Sequence, residues 1–400
     1  MTGILNVIAL ISGGKDSFYS ILHCIKNGHN IVALGNLYPS ETLIISPNEL
    51  DSELNSYMYQ TVGHTVIPLY EQALGIPLYR EVIVGVPLDT ELTYGDSELA
   101  NYADFDRKNE SSDETECMVS LLRRIMIEHP SANALCAGAI LSTYQRTRIE
   151  SVACRLGLVP LSYLWQYSKL MCNPSVSLLE EMGHIGLDAR IIKVAGSGLD
   201  ESFLWQTITN KTTIFRMQKY LRRLGLEDDG ALIGEGGEFE TLVLDGPSYL
   251  FKGRIEVRDI DRVIIRDTGG SAWLKIKQAH VVMKSHRQPS KGVAEVPMPE
   301  LLEPRFRDTF EALNNKDRNE NLESLSMSKI MHNYSMESHK LDCKNPQFDP
   351  TASMAQWIFS APPELAMPEA AMNLKEEVTL RLKLAGLKSI DIISAMVLLR

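Results

Sequence analysis

An α/β protein built on a doubly wound parallel sheet is the fold class this sequence predicts, and three observations carry it. A branched apolar run, Asn6-Val7-Ile8-Ala9-Leu10-Ile11, leads straight into a glycine turn. Behind the turn, residues 18–28 place apolar side chains at helical spacing and stop at Gly28. Strand-like and helical patterns then alternate as far as residue 156, with a second buried-strand run over 133–141. Sheets of this kind bind ligands at the carboxyl ends of their strands, where the strand order reverses.

Taken in order, residues 30–38 read as the second strand and 40–55 as a polar loop. Helices are expected around 57–64 and 70–74, and a strand over 76–84. The acidic, polar stretch 88–112 reads as a surface loop able to cover a site. Residues 114–129 form an amphipathic helix, with Met118, Leu121, Leu122, Ile125 and Met126 on one face. The strand at 133–141 is followed by a helix over 142–156, completing a first domain over residues 1–169.

A smaller α+β domain is expected over 170–285. It carries helices at 176–182 and 213–224 and strands at 189–195, 240–244, 249–251, 254–258, 263–267 and 272–283. From 286 to 350 the composition turns to Pro, Ser, Asn, Glu and Lys, which reads as a largely disordered linker. Residues 351–400 regain a strand–helix–strand pattern, too little to bury a core alone, so the sequence reads as ending within a domain.

Composition narrows the class. The 400 residues are 44% hydrophobic and 23% charged, as in soluble globular proteins, and the net charge of -11 argues against a nucleic-acid partner. The six cysteines form no C-x-x-C and read as reduced thiols. No leader and no membrane-length apolar run is visible, so a cytoplasmic location is expected.

The turn itself, Ser12-Gly13-Gly14-Lys15-Asp16-Ser17, has the makings of an anion site. Gly13 and Gly14 let backbone approach an oxyanion, Ser12 and Ser17 add hydroxyls, Lys15 adds a charge, and the helix behind adds its positive end. It lacks the second glycine of a Walker A loop, and Asp16 stands where that motif needs Ser or Thr. No G-x-G-x-x-G is present either. Ser-Gly-Gly-x-Asp-Ser after a first strand resembles the PP-loop of the ATP pyrophosphatases, with their adenine nucleotide alpha-hydrolase-like sheet.

Further pieces narrow the resemblance: residues 57–64 (Tyr57-Met58-Tyr59-Gln60-Thr61-Val62-Gly63-His64), 74–79, Gly138-Ala139-Ile140, 144–150, 156–158, 163–165, 198–200 and 234–241. Their order and spacing over residues 4–285 resemble the diphthine–ammonia ligases. That resemblance implies ATP as co-substrate with Mg2+, ammonium, and elongation factor 2 carrying diphthine. The carboxylate of diphthine would be activated as an acyl-adenylate, and ammonia would displace AMP. The loop and Gly138 would then hold the nucleotide, with Lys15 and Asp16 acting catalytically.

In the turn over 234–241, Glu235, Glu238 and Glu240 would face ammonium or a trimethylammonium group, with Gly236, Gly237 and Thr241 lining the substrate. An exposed acidic turn is the bland alternative. Arg146 and Arg148 are candidates for the α-phosphate or a carboxylate, or for surface pairing with Glu150. His64 is a candidate proton shuttle or a plain helix-end histidine. Trp165 and Tyr163 read as core.

An N-terminal glutaminase nucleophile would need Cys where Thr2 stands, so free ammonium is the expected nitrogen donor. The tail around Ala385-Gly386-Leu387 resembles the start of a Rid-type domain and is assigned no activity. Catalysis is expected within residues 1–285. The competing reading is a non-catalytic ATP-binding module of the same sheet type, or another PP-loop adenylating ligase. No metal ligands emerge from the sequence.

Overall fold

The computed structural model describes residues 4–39, 60, 62–85, 87–88, 94, 113–167, 177–195, 198–225, 229–267, 270–285 and 296–297. All of them belong to one compact unit, Met1–Pro299. Of the linker expected over 286–350 only residues 296–297 are described, and the Rid-like stretch expected over 351–400 lies outside the described residues.

Five parallel strands make the main sheet: β1 (Asn6–Leu10), β2 (Asn30–Tyr38), β3 (Leu78–Val82), β4 (Ala134–Cys136) and β5 (Val159–Leu161). Their order is β3-β2-β1-β4-β5. The chain works outward from β1 to β3, then returns to lay β4 against the other side of β1. That reversal opens a crevice between the carboxyl ends of β1 and β4.

Helices α1 (Lys15–Lys26), α2 (Leu69–Leu74), α3 (Glu116–Glu128) and α4 (Thr143–Arg155) accompany this sheet. Alternation along β1 decides which faces are covered. Val7 and Ala9 share a core with Phe18, Ile21 and Leu22 of α1. Ile8 joins Met118, Leu121 and Ile125 of α3 and Val152 of α4 in a second one. Both faces are therefore dry, as a parallel sheet requires.

The remaining strands are β6 (Asp188–Val194), β7 (Phe239–Asp245), β8 (Gly253–Glu256), β9 (Arg262–Arg266), β10 (Ala272–Ile276) and β11 (His280–Met283). Helices α5 (Leu178–His184), α6 (Lys211–Arg223) and α7 (Asp229–Ile233) lie among them. An antiparallel sheet runs β7-β6-β10-β9, and β11 pairs with β8. Helix starts follow local chemistry. Ser177 and Glu180 form a capping box on α5, and Asn210 and Ser142 cap α6 and α4. Leu242 and Val243 of β7 enter the same core as Val7 and Phe18, so the two sheets share one interior. Val296 is buried in it too, and the Tyr167 hydroxyl donates to the Pro297 carbonyl (3.3 Å).

Several expected elements differ. The strand over 133–141 shrinks to three residues because 137–141 leave the sheet to pass α1, where Ser20 Oγ in the middle of the helix donates to the Ala137 carbonyl (2.9 Å). β5 is an unexpected strand, its Pro160 tolerated at the sheet edge. Residues 249–251 form no strand: Leu250 and Phe251 both donate to the Pro247 carbonyl in a turn. The run 272–283 splits into β10 and β11, which serve different sheets. Of the helix expected over 57–64, residues 57–59 and 61 lie outside the described set, and 62–68 are a succession of turns leading into α2. Among the described residues no helix is long and apolar enough to cross a membrane.

Candidate active site

The glycine turn lies at the carboxyl end of β1, on the crevice. Gly13, at φ +90°, turns the chain, and Gly14, extended at φ −78° and ψ 161°, caps α1. Gly14 N–H donates to Ser12 Oγ (3.3 Å), and Ser17 Oγ donates to the Gly14 carbonyl (2.8 Å). Both hydroxyls thus shape the turn. Lys15 is only 3% exposed. Its Nζ donates to the Ile233 carbonyl (2.6 Å) and to Asp16 Oδ2 (2.9 Å), and it lies 5.3 Å from the centre of the Phe239 ring. The ammonium is a buried strut as much as a charge on the loop. Asp16 Oδ1 is buried without a hydrogen-bond partner, an acceptor with open lone pairs at the positive end of α1.

Gly138, just past β4, is pressed against this turn. A Cβ there would stand 2.6 Å from Ser17 N and 2.7 Å from the Asp16 carbonyl carbon. From the second sheet, β7 reaches the loop directly: Lys15 N–H donates to Thr241 Oγ1 (3.1 Å) and Val243 N–H to the Gly13 carbonyl (2.9 Å).

The turn between α7 and β7 separates its three glutamates. Glu235 Oε2 accepts the Leu141 N–H (2.9 Å) at the start of α4, where the helix dipole favours a carboxylate. Burial, reinforced by nearby Asp16, pushes its carboxyl above the usual range, against the opposing pull of the Leu141 amide and Lys15. Glu238 is buried and accepts the Gly236 N–H (3.0 Å), and Glu240 pairs with Lys193 (3.1 Å). The three glutamates expected to face one substrate thus have three different local partners. Gly236 and Gly237 are exposed, and Gly237, at φ +80°, opens onto empty space.

A family model described as the diphthamide synthase C-terminal domain matches residues 174–282. A diphthine–ammonia ligase of Schizosaccharomyces pombe is 40% identical over 313 residues, 78% of this chain and 46% of the relative. One from Saccharomyces cerevisiae is 42% identical over 266 residues, 64% of this chain and 35% of the relative. One from Homo sapiens is 41% identical over 281 residues, 69% of this chain and 92% of the relative. The chain belongs to the diphthine–ammonia ligase family. It spans less than half the length of the two fungal members.

Other family-motif residues have local partners of their own. Arg148, a candidate for a phosphate or carboxylate or for surface pairing with Glu150, is fully buried, so the surface reading does not hold. Its guanidinium lies 3.3 Å from the centre of the Tyr144 ring and donates to the Tyr144 carbonyl (3.2 Å). Arg146 lies over Trp165 (4.2 Å to the ring centre) with Glu150 3.8 Å away. His64 is half-buried, and its carbonyl accepts from Arg80 (3.2 Å).

Direct contacts therefore join Ser12–Ser17, Gly138 and Thr241, while Glu235, bonded to the Leu141 N–H, stands close enough for its carboxyl to feel the charges of Asp16 and Lys15. Sequence reasoning passed over Gln60, Tyr70 and Val243, which also touch this assembly. Gln60 sat inside a quoted motif, whereas Tyr70 carried no signal beyond an apolar helical position. Among the described residues no three His, Cys, Asp or Glu side chains cluster as a metal site.

Proposed function

We propose that this chain is an ATP-dependent amide ligase that converts diphthine on elongation factor 2 to diphthamide with ammonium, in the cytoplasm. One observation carries the reading: Asp16, with a buried unpartnered oxygen, and Glu235, with a raised carboxyl, flank the first turn of α1 at the crevice where this sheet type binds ligands. Family membership supports the substrate class.

In this reading the carboxylate of diphthine attacks the α-phosphorus of ATP and the bond to pyrophosphate breaks. Ammonia then attacks the acyl carbon, the bond to AMP breaks, and an amide remains. The first-turn N–H groups of α1 are preformed donors for the charge gathering on pyrophosphate. The close approach of Gly138 leaves room for backbone alone beside them. Glu235 holds the ammonium and takes its proton on attack.

The open oxygen of Asp16 suits Mg2+, which favours one or two carboxylates shared with phosphate oxygens. When bound, the metal neutralises phosphate charge. Residues 351–400, as a Rid-like segment, have no part in the chemistry.

Incubation with ATP, ammonium and diphthine-bearing elongation factor 2, followed by chromatography of the spent nucleotide, tests the proposal. AMP and pyrophosphate are expected. ADP as main product would refute the mechanism, and ATP binding without turnover would favour the non-catalytic module.

A further inference from the structure

The shape of the loop is imposed from outside it. A carbonyl aimed at a polyphosphate would repel it, so the Gly13 carbonyl must be satisfied elsewhere. It accepts the Val243 N–H (2.9 Å) and, at longer range, the Tyr70 hydroxyl (3.3 Å). The shorter bond of that hydroxyl goes to the Val243 carbonyl (2.7 Å), so one phenol clasps loop and strand together. Tyr70 is fully buried, and burial pushes its phenol up, so it remains a donor at any working pH.

A second clasp stands beside the first. Gln60 Nε2 donates to the Thr241 carbonyl (3.0 Å) and to the Val62 carbonyl (3.2 Å). Thr241 in turn takes the Lys15 N–H on its hydroxyl (3.1 Å). A Cβ on Gly14 would stand 2.9 Å from Gln60 Oε1, so the glutamine also walls the loop on that side.

From these contacts we infer that Tyr70 and Gln60 are positioning residues for nucleotide binding. Both anchor β7, and β7 draws the Gly13 carbonyl away from the crevice and fixes the first N–H of α1. The other first-turn N–H groups then point at the phosphates without rearranging. Neither side chain need touch the nucleotide. The inference rests on the nucleotide reading given above and adds the residues that set the geometry of the loop.

Tyr70→Phe removes one oxygen and keeps the ring. Calorimetric titration of the full chain with MgATP, and separately with pyrophosphate, should show roughly fivefold to tenfold weaker binding, the scale of one buried hydrogen bond. The KM for ATP should rise by the same factor, with kcat at saturating ATP near wild type. Thr241→Val should weaken binding of both ligands in the same titration, and Thr241→Ser should recover it. A Tyr70→Phe protein with a lowered Tm and wild-type affinity overturns the inference, because a purely structural tyrosine behaves that way. Should Tyr70→Phe fail to fold, Gln60→Leu decides by the same titration. Wild-type protein that binds neither ligand would remove the nucleotide reading and this inference with it. Wild-type binding with unaltered variants removes the inference alone.

Discussion

Replacing Gly138 by alanine adds one methyl group where the structure leaves no room. The new Cβ would lie 2.6 Å from Ser17 N, 2.7 Å from the Asp16 carbonyl carbon and 3.0 Å from the Asp16 carbonyl oxygen, all backbone atoms. No side chain can swing aside, so the start of α1 must retreat by roughly 0.8 Å to reach ordinary contact at 3.4 Å. Overpacking of this kind costs about 1–3 kcal/mol, or some 2–4 °C of Tm per kcal/mol. The functional loss should be larger than the loss of stability. The displaced groups belong to the turn that would face the phosphates, and a 1 Å misplacement costs up to about a hundredfold. We expect Gly138→Ala to remain folded by circular dichroism, melt several degrees early, and bind MgATP about tenfold to a hundredfold more weakly by calorimetry. Wild-type Tm and wild-type affinity together would refute the packing argument. A loss of stability with unchanged affinity would detach Gly138 from the nucleotide site.

The raised Glu235 carboxyl gives a signed pH effect: its stabilising contribution is complete below the unfolded value near 4.5 and is lost as pH climbs through the folded one. Glu235→Gln should therefore gain on wild type with rising pH in ligand-free denaturant titrations, and parallel curves would contradict this. His23, packed against Tyr19, Tyr163 and Tyr167, is held neutral by burial and titrates near 4 rather than 6.5. Its contribution is present above 6.5 and fades as pH falls toward 4, so His23→Phe should flatten the acid limb of the stability curve. Truncation after Pro299 should preserve Tm and ATP binding, whereas truncation after residue 285 removes the buried Val296 and should cost about 1.5 kcal/mol; equal melting of the two would argue against it.

Much of the first sheet was legible because its signals are local. The apolar run of β1, the glycine turn and the spacing of α1 are written in consecutive residues, and their reading matches the structure closely. Motif order likewise pointed to the family. The reading failed where long-range contacts decide. Nothing local says that β4 stops at Cys136 so that Gly138 can abut α1, or that Pro160 sits on an edge. Glu235, Glu238 and Glu240 look equivalent in sequence. Only the fold assigns one to the start of α4, one to its own turn and one to Lys193 on β6. In sequence Arg148 is open to an anion or to Glu150, and only the fold shows it buried over Tyr144.

The bond from Lys15 N–H to Thr241 spans 226 residues, and that separation bears on how the chain is made. During synthesis the glycine turn leaves the ribosome early, together with the first strand. Its mould, β7, follows only after every strand of the parallel sheet has been completed. Closing so long a loop is slow compared with the local steps that build helices. A nascent chain therefore carries the sequence of the glycine turn long before it owns the strand that shapes the proposed nucleotide site. Stalled chains of increasing length should begin to crosslink to nucleotide only once Asp245 has emerged, and earlier labelling would show that the turn shapes itself.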